Sequence, residues 1–175
     1  MSEQEEVSVE LEELTLDDIE FDGKGLLEYE EEFTIKLPSL PCTSQQATQC
    51  LIDIGNAYQN AYNCYNKLLV LSNKAESQFK AMKYRLCNDY IAKLRDNKVT
   101  KLPAKESIEV IVLNDDKNVQ LRLMLERFQI YEAIKEFFKN NKTKLENTMD
   151  IAKSISISTL SSDKIQNQSK VGHGI

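Results

Sequence analysis

From Ala47 to Leu86 the chain steps alternately by four and three through Ala47, Leu51, Ile54, Tyr58, Ala61, Tyr65, Leu68, Ser72, Ala75, Phe79, Met82 and Leu86. Only Ser72 breaks the apolar character of the series. A seven-residue repeat sustained this long keeps one stripe of a helix apolar and requires a facing helix to cover it. Strands bury alternate residues instead, so the pattern has no sheet solution. Past Leu86 the strict register would place Asp89 and Lys93 in the stripe. The apolar residues move to Tyr90 and Leu94, two successive steps of four, a stutter that locally unwinds a coil. Thr43 and Gln46 form a capping box at the start, and Pro103 stands beyond the end. The spacing therefore predicts a helix from about 44 to 98, roughly 80 Å long.

A second seam runs through Leu121, Met124, Phe128, Tyr131, Lys135, Phe138, Lys142, Leu145, Met149 and Ala152. Ile134 and Phe137 widen its apolar face beside the two lysines. Asn114, Asp115 and Asp116 offer an N-cap and favourable acids at its start. Residues 104–114 between the two seams read as either a short helix or a strand, because β-branched residues crowd a segment that must reverse the chain. Five glycines and three prolines leave too few turn-formers for a many-stranded fold.

Charge divides the chain. Residues 1–40 hold fourteen acids and two bases, Lys24 and Lys36, whereas residues 41–175 hold fourteen acids and twenty bases. An acidic pI near 5.0 thus conceals a basic body. The acid runs with scattered Val, Leu and Ile are expected to form a disordered tail over 1–42 that solubilises, docks on a partner or shields the body. Residues 157–175, polar and serine-rich, are expected to be disordered as well. An alternation at Phe33, Ile35 and Leu37 suits a short strand.

Nothing in the sequence points to catalysis. There is no phosphate-binding loop, dinucleotide fingerprint or nucleophile elbow, and the one histidine, His173, lies in the expected C-terminal tail. Cys42, Cys50, Cys64 and Cys87 lack any paired or metal-like spacing and read as reduced, small apolar residues. No cofactor or metal is expected. No run of about 18 apolar residues and no leader-like N-terminus is present, so a soluble cytoplasmic protein, in a host cell if phage-encoded, is the expectation.

Between residues 60 and 102 nine bases face three acids. A solvated helix face normally mixes signs to form pairs four residues apart, so this excess suits a polyanion. Lys67, Lys74 and Arg95 share one stripe off the seam, with Lys80 next to it, and Lys83 and Arg85 flank the seam. Tyr84 and Tyr90 are placed to stack on bases, although Tyr90 equally fits the shifted seam. Lys83-Tyr84-Arg85-Leu86 near the end of a long helix, followed by Tyr90, a short reversal and a second amphipathic helix, resembles the phage UvsY-type recombination mediators over about residues 44–155. That resemblance implies single-stranded DNA binding, rings of subunits, and assistance in loading a RecA-like recombinase onto strands coated by single-strand-binding protein. It assigns DNA contact to Lys83 and Arg85. The glycine usual in the family's tyrosine-rich turn is replaced here by Lys93-Leu94-Arg95-Asp96-Asn97, and the acidic N-terminus has no counterpart.

The expectation is an all-α chain forming a long antiparallel helical hairpin or coiled coil, with residues 43–156 as the DNA-binding and oligomerisation domain. The DNA-binding candidates are Lys67, Lys74, Lys80, Lys83, Tyr84, Arg85 and Arg95. A second helix of about 40 residues cannot cover the whole first stripe, so a homo-oligomer is expected, with Leu51, Ile54, Tyr58 and Leu68 at its interface. The alternative is a structural coiled-coil phage protein, a virion component or assembly chaperone, whose basic face is only a solvated surface.

Overall fold

The computed structural model describes residues 19–171. The expectations for residues 1–18 and for His173 lie outside the described residues. Two short strands, β1 (Glu20–Phe21) and β2 (Lys24–Gly25), precede α1 (Leu26–Phe33). The long helix α2 (Ser44–Asp96) follows, then α3 (Lys105–Asn114), a 3-10 turn (Asp116–Asn118) and the second long helix α4 (Val119–Val171). The all-α expectation holds apart from the two-residue strands. No helix among the described residues is long and apolar enough to cross a membrane.

Helix α2 begins where its capping box places it. Thr43 Oγ1 accepts from the Gln46 amide at 3.2 Å, and the Thr43 amide donates to Gln46 Oε1 at 2.9 Å. It ends at Asp96 with Asn97 as cap. Lys98 then takes a left-handed φ of 59°, its amide donating to the Arg95 carbonyl and the Val99 amide to the Leu94 carbonyl. This is the glycine-preferring Schellman closure with a lysine in the left-handed position. Lys98→Gly should therefore raise stability by about 1 kcal/mol, read as a higher urea midpoint; an unchanged or lower midpoint would refute that account.

Helices α2 and α4 run antiparallel and each has 53 residues, about 80 Å. Contacts from end to end fix the direction. Ser44 Oγ donates to Asp163 at 2.5 Å, Tyr58 Oη donates to Glu146 at 3.0 Å, and Ser72 Oγ donates to Glu132. The equal lengths correct the expectation that the second helix is too short. Helix α4 covers the stripe of α2 within one chain, so Ile54 and Leu68, both 0% exposed, face Ile134, Phe138, Leu145 and Ala152 and present nothing to another copy. Leu51 and Tyr58 are half-buried against the same core. The lysines that interrupt the α4 seam are resolved locally. Lys142 Nζ stands over the rings of Tyr62 and Tyr65, at 6.0 and 5.8 Å from their centroids, and Lys135 pairs with Glu132 at 2.5 Å.

Ser72, the one polar residue of the first seam, is buried and bonded to Glu132. The pair separates two apolar clusters, one around Phe138 and one around Ile108, Val112 and Leu121. The hydrogen bonds from Lys135 and Ser72 hold the Glu132 carboxyl below its ordinary range. A depressed carboxyl contributes stability above the ordinary carboxylate range and loses it as pH falls through the lowered value. Glu109, held low mainly by Lys83, behaves alike. Thermal midpoints should fall between neutrality and about pH 3, and Glu132→Gln should shrink that fall. An equal fall in the variant would assign the acid sensitivity elsewhere.

One open alternative is decided and two expectations are corrected in part. Lys105–Asn114 is helical, with Ala104 as its N-cap: Ile108 and Val112, four apart, turn one buried face onto Phe79, Met82, Leu86 and Tyr90 of α2, and this packing overrides the local β preference. Within the expected tail 1–42, residues 20–33 fold. Asp22 and Gly23 both have positive φ, 57° and 78°, and close a two-residue hairpin. Phe21, Leu26, Tyr29 and Phe33 are then buried on the α2–α4 pair. Residues 157–171 continue α4. There Thr159 is buried and meets Cys42 at 3.4 Å, and serines return their hydroxyls to carbonyls four residues back.

Candidate nucleic-acid interface

Lys80, Tyr84, Asn88, Ile91 and Arg95 follow one another at steps of four and three, and so share one face of α2. Lys83 and Cys87 stand beside it. Opposite lies α3, brought there by the left-handed turn at Lys98 and by burial of Ile108 and Val112. Between α2 and α3 is a groove of about 540 Å³, with Cys87, Ile91, Pro103 and Ile108 in its lining. Lys80, Lys83 and Lys105 add cations to it, and Tyr84, 70% exposed, stands at its edge.

Lys83 donates to Glu109 of α3 at 2.7 Å, with both side chains about one-third exposed, and its ammonium lies 5.6 Å from the Phe79 ring centroid. Lys105 stands 3.9 Å from the same carboxylate. The groove's one acid is thus matched by two bases, and Lys80 adds a third while pairing with Glu76 at 2.6 Å on the open surface. Exposed pairs of that kind are weak and exchange readily for another anion. Burial pushes the Cys87 thiol up, with the Glu109 charge adding to it, and so disfavours the thiolate.

The seven DNA-binding candidates therefore do not form one surface. Lys80, Lys83 and Tyr84 meet at the groove, and Arg95 extends the same face of α2 about 16 Å further along. Lys67 lies nearer the N-terminal hairpin and donates to Asp22 at 2.6 Å. Lys74 and Arg85 are exposed without an acidic partner among the described residues, and Arg85 turns one nitrogen to Met82 Sδ at 3.3 Å. Tyr90 packs in the cluster with Ile108 and Val112, so its place is in the core. Lys105 falls outside the basic run of residues 60–102 that the sequence displays; only a helical α3 brings it to the groove.

A second cavity, of about 880 Å³, opens at the other end of the helix pair. Hydroxyls of Thr43, Ser44, Ser158 and Ser162 line it together with Asp163, and no cation does. A polyanion has no counter-charge there. Among the described residues no cluster of His, Cys, Asp or Glu is placed to hold a metal ion. No family model, curated protein or solved structure matches the chain.

Proposed function

We propose that this protein binds single-stranded DNA along the face of α2 around Tyr84, and acts without chemistry of its own as a recombination mediator similar to the UvsY type. The observation that supports the reading is Tyr84, an aromatic ring 70% exposed beside three cations at the α2–α3 groove. A large exposed ring adds nothing to the core, whereas a base can stack on it while neighbouring phosphates meet Lys80, Lys83, Lys105 and Arg95. Neutralising phosphates releases counterions and supplies affinity without sequence preference. In the mediator role, strands held this way are offered to a RecA-like recombinase in place of single-strand-binding protein.

Each chain offers a short contact, so a homo-oligomer would multiply it by effective concentration. With Ile54 and Leu68 inside the chain, the oligomer proposed here uses exposed apolar side chains such as Ile52, Val70, Val110 and Ile111. A second reading, a structural helical protein that binds no nucleic acid, draws support from the acids already paired with Lys67, Lys80 and Lys83.

Anisotropy titration of oligo-dT across a salt series separates the two. Four phosphate contacts per subunit give an expected log–log slope of about −3. Absence of binding at low salt would sink the DNA reading and leave the structural one.

A further inference from the structure

Six of the fourteen acids in residues 1–40 lie on the folded N-terminal unit, and the other eight lie in residues 1–18 with no base among them. In that segment Val7, Val9 and Leu11 alternate with polar residues, and Leu14 and Leu16 resume the alternation. Its chemistry is the complement of the α2–α3 groove: apolar side chains on alternate positions for an apolar lining, and acids for a cationic rim. Glu109, the groove's own carboxylate, is already matched by Lys83 at 2.7 Å and Lys105 at 3.9 Å.

We propose that the α2–α3 groove is the docking site of the chain's own residues 1–18. The distances permit it. Asp22, just past the segment, is held on Lys67 at 2.6 Å. The groove's part of α2, Lys80 to Ile91, lies about 20–36 Å further along that helix. Eighteen residues span at most about 60 Å when extended. The cavity of about 880 Å³ offers Asp163 and no cation, so it repels the same segment, and one of about 590 Å³ beside the hairpin offers a single cation, Lys67, already held by Asp22. Val7, Leu11 and their neighbours meet Cys87, Ile91 and Ile108, and the acids meet Lys80, Lys83 and Lys105. Docking stands on this complementarity alone. Its consequence, that residues 1–18 and DNA exclude each other, rests on the function proposed above.

The test uses the full chain with p-benzoylphenylalanine in place of Leu11, irradiated at low concentration, with adducts mapped by mass spectrometry. Adducts are expected on residues 80–91 of α2 and 105–109 of α3. Their yield should fall several-fold in Lys80→Glu with Lys105→Glu, and again when salt screens the charges. Both lysines are exposed, and an unchanged circular dichroism spectrum will confirm that the fold is kept. If that double variant unfolds, the salt series on the unmodified lysines decides alone. Adducts spread along the chain, or insensitive to both charge reversal and salt, overturn the proposal. Adducts that join labelled to unlabelled chains overturn docking within one chain. Excess oligo-dT added before irradiation should suppress adduct formation. If oligo-dT fails to bind while groove adducts still form, docking is upheld and the DNA function is lost; if it binds without lowering their yield, mutual exclusion is overturned.

Discussion

Phe138→Ala is expected to lower stability by about 3–5 kcal/mol, the range for removing a fully buried ring. Phe138 is 0% exposed at the centre of an aromatic cluster. Its centroid lies 4.9 Å from that of Tyr29, 5.3 Å from Phe137, 5.7 Å from Phe21 and 5.9 Å from Phe33, all edge-to-face. Such pairs add to area burial. Three of these rings belong to the N-terminal hairpin and α1, so one α4 side chain fastens that unit to the helix pair. The cavity left by alanine has little freedom to collapse, because Leu68, Ile134 and Leu145 fix the spacing of α2 and α4 around it. The Lys67–Asp22 bond cannot hold the unit by itself, since a pair between exposed side chains is weak. Proteolysis should accordingly cut the variant first within residues 19–42, at denaturant concentrations where α2 and α4 still resist. A urea midpoint close to wild type with residues 19–42 protected would show that the unit is held by something else.

What is legible in the chain follows from period. The alternate steps of four and three, and the Thr43–Gln46 box, announce α2 because a regular helix repeats one geometry and needs no knowledge of its partner. The partner's length is obscured at its serine-rich end. Composition there suggests disorder, but Ala152 and Thr159 continue the buried series of α4, seven residues apart, against the start of α2. The N-terminal unit carries a readable signal in Asp22-Gly23, a dipeptide suited to a two-residue hairpin. Acid content masks it, and its apolar residues make sense only once α2 and α4 offer a surface. Residues 104–114 stay open for the same reason, since the burial of Ile108 and Val112 on α2 decides what local preference cannot. The cationic run of the candidate interface is visible, whereas the pairing of Lys83 with Glu109, 26 residues away, depends on α3 being helical.

Tyr84→Ala is expected to weaken oligo-dT binding by about 5- to 150-fold, the equivalent of about 1–3 kcal/mol for one base stack removed. The ring is 70% exposed, and alanine has the higher helix propensity, so melting temperature and helical content should not fall. No charge is removed, which makes the salt dependence the discriminating measurement. Removing a stack lowers affinity at every salt concentration and leaves the log–log slope as in wild type. Replacing Lys80 or Arg95 instead should flatten that slope by about 0.7 for each phosphate no longer neutralised. Tyr84→Phe keeps the ring and should keep most of the affinity. If Tyr84→Ala binds as wild type does while the lysine variant loses slope, the face is a charge surface without a stacking platform. If neither variant changes binding, the strand runs elsewhere, and the groove between α2 and α3 has no part in holding it.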